Sequence, residues 1–254
     1  MQIKQNNTIS FFKTIDLENI ANFDSKELLN ENKDFNILSE MMSKYNSDKG
    51  YGLCKEFIIN NKYPPNCVCH NYTYFYDKLF SEYRNEPLII FEMGVGVPAC
   101  MGQGSWAGSL LGWKDYLPNS IIFSADFDKD YLYCDERITS YYVNQEDANS
   151  INEMWKNLEE KIFDIIIDDG PHTYSSNIIF YKNSIKKLKK NGIFIIEDVD
   201  LEFIDGLYNE IISYNNNNNI NLNIVKIKIP WPTKFTHGCP HILRMNNLIV
   251  LQKL

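Results

Sequence analysis

The sequence predicts an α/β protein, a doubly wound sheet of seven mostly parallel strands with an antiparallel hairpin at one edge and a helical extension at the N-terminus. Short β-branched apolar runs alternate with longer stretches of helical apolar spacing, as successive βα units require. Residues 163–167 carry four large apolar side chains and, like 192–196, are too short for a helix, which marks strands buried inside a parallel sheet. Residues 222–229 and 247–251 also read as strands, and no crossover helix separates them, so they pair antiparallel.

Taken in order, residues 1–44 are polar and rich in Asn and Lys. Ile37, Leu38, Met41 and Met42 form the apolar stripe of one helix. Lys44-Tyr-Asn-Ser-Asp-Lys-Gly50 is a polar turn, and Pro64-Pro65 forbids helix in the irregular stretch after it. Residues 70–80 suit a helix with aromatics at Tyr72, Phe75, Tyr76 and Phe80. The first strand, 88–91, runs into Glu92-Met-Gly94-Val-Gly96-Val-Pro-Ala99. A helix over 104–116 carries Trp106, Leu110, Leu111, Trp113 and Tyr116, and Pro118-Asn119 stops it. Strand 121–125 ends in Asp126-Phe-Asp128, and a weaker strand, 141–143, ends in Asn144-Gln-Glu-Asp147. Helix 150–161 presents Ile151, Met154, Trp155 and Leu158 on one face.

Strand 163–167 ends in Asp168-Asp-Gly-Pro-His172. Helix 175–190 closes on Lys186, Lys187, Lys189 and Lys190, a solvated basic end that complements the helix dipole, with Gly192 as its cap. Strand 192–196 ends in Glu197-Asp198-Val199-Asp200. A helix over 202–214 precedes the Asn run 215–219, an exposed low-complexity loop, and 230–240 is a Pro/Gly-rich loop. The boundaries predicted are an extension over 1–85, serving as lid or oligomer contact, and one domain over 86–254.

Composition excludes several classes. A formal net charge of −8 over 254 residues makes the chain a poor general binder of nucleic acid or anionic membrane. No apolar run approaches the ~18–20 residues that span a bilayer, and the first residues lack a signal-peptide core, so the cytoplasm is expected. Six cysteines are scattered at Cys54, Cys67, Cys69, Cys100, Cys134 and Cys239. Cys67-Val-Cys69-His70 and His237-Gly-Cys239-Pro-His241 raise a zinc-stabilised binding module as an alternative. Their ligand pairs are separated by one residue, however, where structural zinc sites use about two to four; free thiols in a reducing compartment fit better.

In open α/β sheets ligands bind outside the carboxyl ends of the strands, and here those ends are acidic. Gly94-Val-Gly96-Val-Pro-Ala99 satisfies G-x-G-x-x-A, the Rossmann-like dinucleotide pattern, which raises an NAD-type oxidoreductase. Two features oppose it. Residues 98–102 separate the glycines from the helix whose N-terminus would meet a pyrophosphate. Asp126 lies 32 residues after Gly94, beyond the roughly 20 that the dinucleotide pattern uses. A ligand with a ribose and no phosphate fits better. Asp126 would take the ribose hydroxyls, Gln145 or Asp147 would face an adenine amine, and Glu92 would lie under a cationic amino-acid tail. Those features describe S-adenosylmethionine.

The chain resembles the macrocin/mycinamicin-type sugar O-methyltransferases, a metal-dependent family of class I methyltransferases. The likeness runs over about residues 44–251. It rests on Lys44-Tyr-Asn-Ser-Asp-Lys-Gly50, His70-Asn-Tyr72 and Phe91-Glu-Met-Gly-Val-Gly96. It continues through Gly108-Ser-Leu-Leu-Gly-Trp-Lys-Asp-Tyr-Leu-Pro118, Ala125-Asp-Phe-Asp128, Asn144-Gln-Glu-Asp147, Ile166-Ile-Asp-Asp-Gly-Pro-His172, Ile196-Glu-Asp-Val199 and Asn246-Asn-Leu-Ile-Val250.

The resemblance implies a divalent cation, usually Mg²⁺, on Asp169, Glu197 and Asp198, with His172 as general base. It puts Glu92, Gly94, Gly96, Ser109, Asp126, Gln145, Asp147 and Asp168 around S-adenosylmethionine. The acceptor it implies is a small molecule, a sugar or nucleotide-linked precursor of a surface glycan or natural product, and a homo-oligomer is expected. Two departures stand out: Pro171 replaces the usual small residue before the histidine, and 54–69 is an insertion.

Overall fold

A computed structural model describes residues 8–23, 36–50, 70–96, 106–159, 161–229 and 244–254. Among them, helices α1 (Leu17–Ala21), α2 (Ile37–Lys44) and α3 (Tyr72–Phe80) precede the first strand, β1 (Ile89–Met93). Then come α4 (Gly108–Tyr116), β2 (Ile121–Asp126), β3 (Ile138–Tyr142), α5 (Ala148–Asn157) and β4 (Phe163–Asp168). The chain closes with α6 (Tyr174–Ser184), β5 (Leu188–Ile196), α7 (Ile204–Asn217), β6 (Leu222–Lys228) and β7 (Asn247–Lys253).

The seven strands form one sheet in the order β3-β2-β1-β4-β5-β7-β6. The first five pair parallel, and β7 is antiparallel to both β5 and β6. This is the predicted doubly wound sheet with its antiparallel edge hairpin. The winding reverses between β1 and β4, so a ligand crevice opens there, at the carboxyl ends. Register fixes what reaches it. Met93 pairs with Asp168 and Asp168 with Ile196, so Gly94, Asp169 and Glu197 leave the sheet side by side.

Each face of the sheet carries its own core, as period-two alternation dictates. Ile165 and Ile167 of β4 pack under α1–α4 with Leu38, Met42, Tyr76 and Trp113. Ile166 packs against α5–α7 with Trp155, Phe180 and Leu207. Extension and sheet therefore share one apolar core.

Several elements differ from expectation. The third strand starts at Ile138 rather than 141, since Ile138 is fully buried while Tyr142 is exposed. The helix predicted over 175–190 ends at Ser184. A 3₁₀ turn follows, and Lys189 and Lys190 belong to β5. Lys189 is not solvated: it is 6% exposed and its Nζ lies 2.7 Å from Asp164 Oδ2. Gly192 is consequently inside a strand and not a helix cap. Asn215–Asn217 extends α7 instead of forming loop, with Asn215 buried against the Tyr181 hydroxyl.

Asp164, fully buried, also accepts from Ser10 Oγ (2.6 Å) and from the Ile89 backbone N–H (2.8 Å). Residues 8–10 bond to Lys190, and Gln252 bonds to the backbone of Lys13 and Ile15. The N-terminal segment is thus stitched across the sheet end opposite the crevice.

Candidate functional site

The crevice is a cavity of about 720 Å³. Two loops at the switch point shape it by close approach. Gly94 has φ +94°, and a Cβ built there would lie 2.2 Å from the Asp169 carbonyl oxygen. Only glycine lets the β1 loop pass so near the β4 turn. The turn Asp169-Gly170-Pro171-His172 ends with His172 in the left-handed region, φ 57°. Thr173 then caps α6 through a reciprocal pair with Ser176. That cap fixes where the turn stops and so where the His172 ring points.

The two aspartates separate. Asp168 is fully buried and accepts from Gln145 Nε2 (2.6 Å) and Asn177 Nδ2 (2.9 Å). Burial pushes its carboxyl up to about 6, against those two hydrogen bonds. It lies behind the cavity wall and holds Gln145 in it. Asp169, by contrast, lines the cavity with His172 and Asp198.

Asp169, His172 and Asp198 each offer one ligand atom, all within 4.8 Å of one another. His172 Nε2 lies 3.6 Å from Asp198 Oδ2 and 3.9 Å from Asp169 Oδ1. Its Nδ1 is buried with no hydrogen-bond partner among the described residues. Asp198 is half-fixed from behind by the Tyr72 hydroxyl and by His70 Nδ1 at 3.4 Å. Burial would raise its carboxyl, but His70, His172 and the Tyr72 bond hold it below the usual carboxylate range. Two carboxylates on one point suit a divalent cation, and the imidazole beside them suits a neighbouring base.

Glu197 is placed differently from its expected role as a ligand. One oxygen receives the Tyr76 hydroxyl and the other lies 2.6 Å from Lys49 Nζ. It stands beside the three-residue cluster and is 1% exposed. Glu92 is fully buried beneath the cavity and accepts from Ser109 Oγ (2.5 Å) and Trp113 Nε1 (2.6 Å). Lys49, expected in a polar turn, joins these acids. Its Nζ is 2.7 Å from Asp169 Oδ2 and 3.5 Å from Glu92 Oε1. Nothing in local spacing could reveal partners 120 and 148 residues away; a Lys between Asp48 and Gly50 was the sole signal.

The remaining wall is formed by Gly94, Gly96, Ser109, Asp126, Phe127 and Gln145, with Asn46–Asp48 of the extension. Asp126 accepts the Val95 N–H (2.9 Å) and the Asp128 N–H (2.9 Å), which aims its carboxylate across the glycine loop. Asp147 is exposed, caps α5 through the Asn149 N–H and is not among the cavity residues; Gln145 is. Of the Cys/His pairs, His70 alone is described. It is buried, stacked on Tyr72 at 4.7 Å, with Nδ1 3.0 Å from Asn246 Oδ1. Cys54, Cys67, Cys69, Cys100, Cys239, His237, His241 and residues 97–105 lie outside the described residues.

No protein-family model matches the chain. It is 30% identical over 131 residues to the demethylmacrocin O-methyltransferase of Streptomyces fradiae, covering 51% of this chain and 32% of that enzyme. It is 31% identical over 132 residues to the mycinamicin VI 2''-O-methyltransferase of Micromonospora griseorubida, covering 51% and 32%. The chain thus spans about a third of the length of the curated relatives it matches. Among solved structures it is similar to the MycE methyltransferase of the mycinamycin biosynthetic pathway, in complex with Mg, SAH and mycinamycin VI. The TM-score is 0.58 at 22% identity, over 86% of this chain and 54% of that one. That likeness is one of fold alone: a Rossmann-like, doubly wound sheet.

Proposed function

We propose that the chain transfers a methyl group from S-adenosylmethionine to a hydroxyl of a sugar, carried by a natural-product or glycan precursor, with a divalent cation such as Mg²⁺. The observation that carries this reading is the convergence of Asp169, His172 and Asp198 on one wall of a cavity whose other wall is the Gly94–Gly96 loop and Asp126. The relatives named above, both O-methyltransferases by name, support it. In this reading residues 46–48 of the 1–85 extension close one side of the site and 86–254 form the methyltransferase domain, acting in the cytoplasm. No helix among the described residues is long and apolar enough to cross a membrane.

The two glycines let backbone approach the methyl donor, and Asp126 accepts from its ribose hydroxyls. Gln145, steadied by Asp168, supplies the amide at the adenine end. Asp169 and Asp198 hold the cation, with Glu197 alongside. Such a cation, when bound, would supply Lewis acidity that makes an acceptor hydroxyl easier to deprotonate. His172 Nε2 accepts that hydroxyl's proton. The oxygen bonds to the methyl carbon as the carbon–sulfur bond breaks, its electron pair passing to sulfur, so S-adenosylhomocysteine leaves neutral at sulfur.

Labelled methyl transfer to a panel of free glycosides and nucleotide sugars, with and without EDTA, tests this. Transfer to at least one sugar, lost in EDTA and restored by Mg²⁺, is expected. Binding of a nicotinamide dinucleotide in place of S-adenosylhomocysteine would overturn it.

A further inference from the structure

Lys49 is 1% exposed, yet it comes from the N-terminal extension and not from the sheet. Its ammonium faces three carboxylates from three adjacent strand ends: Glu197 at 2.6 Å, Asp169 at 2.7 Å and Glu92 at 3.5 Å. An ammonium has three N–H groups to give, and here each has an acid before it. The backbone around it is pinned. The His70 N–H donates to the Asp48 carbonyl (2.6 Å) and the Thr73 N–H to the Lys49 carbonyl (3.1 Å). Gly50 is wedged so tightly that a Cβ would lie 2.8 Å from Thr73 Oγ1. The side chain has nowhere to withdraw.

Asp169 therefore serves two directions. Oδ2 is held by Lys49, while Oδ1 faces the His172 and Asp198 cluster. We infer that Lys49 is a positioning residue that acts as a tethered cation, orienting Asp169 and Glu197 while weakening the hold of their cluster on a divalent ion. The inference rests on the proposed metal-binding role of Asp169 and Asp198. A fixed positive charge bonded to one oxygen of a ligand carboxylate repels an ion at the other. Across the span of one half-buried carboxylate such repulsion changes affinity by about tenfold or more. The ion is then exchangeable instead of permanently held, and the extension sets how readily it leaves.

The experiment is Mn²⁺ binding to the full chain, read from the electron paramagnetic resonance of free Mn²⁺ without methyl donor or acceptor. Lys49→Met is expected to bind Mn²⁺ at least about tenfold more tightly than the parent chain, and Lys49→Arg within about threefold of it. A folded Lys49→Met protein, checked by circular dichroism, with equal or weaker affinity overturns the inference. Lys49→Met leaves buried acids without a counter-charge, so a paired variant guards against loss of fold. Lys49→Gln with Glu197→Gln removes the ammonium and its nearest carboxylate together. It should bind more tightly than Glu197→Gln alone; equal or weaker binding overturns the inference. Absence of Mn²⁺ binding in every form removes the metal site as well, whereas failure of methyl transfer alone appears only in the transfer assay.

Discussion

Replacing Gly94 with alanine would test the close approach that sets the switch-point crevice. Two costs apply. A non-glycine residue at φ +94° carries about 1–3 kcal/mol of backbone strain. The new Cβ would also sit 2.2 Å from the Asp169 carbonyl oxygen, and forcing backbone apart in a packed region costs about another 1–3 kcal/mol. Together these give roughly 4 kcal/mol, or a melting point lowered by about 8–16 °C in a chain this size. Gly96 is the internal control, because its φ is +84° but a Cβ there meets nothing within 4 Å. Gly96→Ala should show the strain alone, about half the loss. Thermal unfolding of both variants and calorimetric binding of S-adenosylhomocysteine read the outcome. Gly94→Ala should melt lower than Gly96→Ala and displace Asp169. If the two variants melt together, the contact with Asp169 does not shape the site.

His172→Ala should lower turnover by about 10²-fold or more with S-adenosylhomocysteine affinity unchanged; surviving turnover would mean another group takes the proton. Asp169→Asn should raise the Mg²⁺ concentration needed for half-maximal transfer by about tenfold or more, and an unchanged requirement would remove it as a ligand. Lys189→Met leaves buried Asp164 without its ammonium and should cost about 3–5 kcal/mol in urea unfolding. Because that pair lies at the far end of the sheet, S-adenosylhomocysteine affinity should hold, and a parallel loss of binding would contradict the described layout.

The alternating apolar runs made the sheet legible, because a strand buried on both faces leaves a mark within five residues. The strand-end acids were legible for the same reason: once a strand is placed, the residue after it is placed too. Errors arose where tertiary contacts override local pattern. Lys189 reads as the end of a basic helix until Asp164, in the neighbouring strand, pairs with it. Asn215 reads as loop until Tyr181 accepts its amide hydrogen. Asp147 and Gln145 were indistinguishable in sequence; the α5 cap claims one and Asp168 the other. Lys49 was out of reach, since its partners are joined to it through the fold alone.

The sheet order also dictates a schedule. Among the described residues, strand β6 precedes β7 in the chain but pairs with β7 alone, and β5 reaches the edge pair only through the same strand. Until residues 247–253 arrive, β5 presents an open backbone edge bearing Phe194 and Ile196, and β6 has no ladder to join. The last strand is therefore a keystone: it closes two edges at once, so the sheet becomes a finished surface only when the end of the segment docks. Removing it would uncover the edge next to Glu197 and Asp198 and invite pairing between chains.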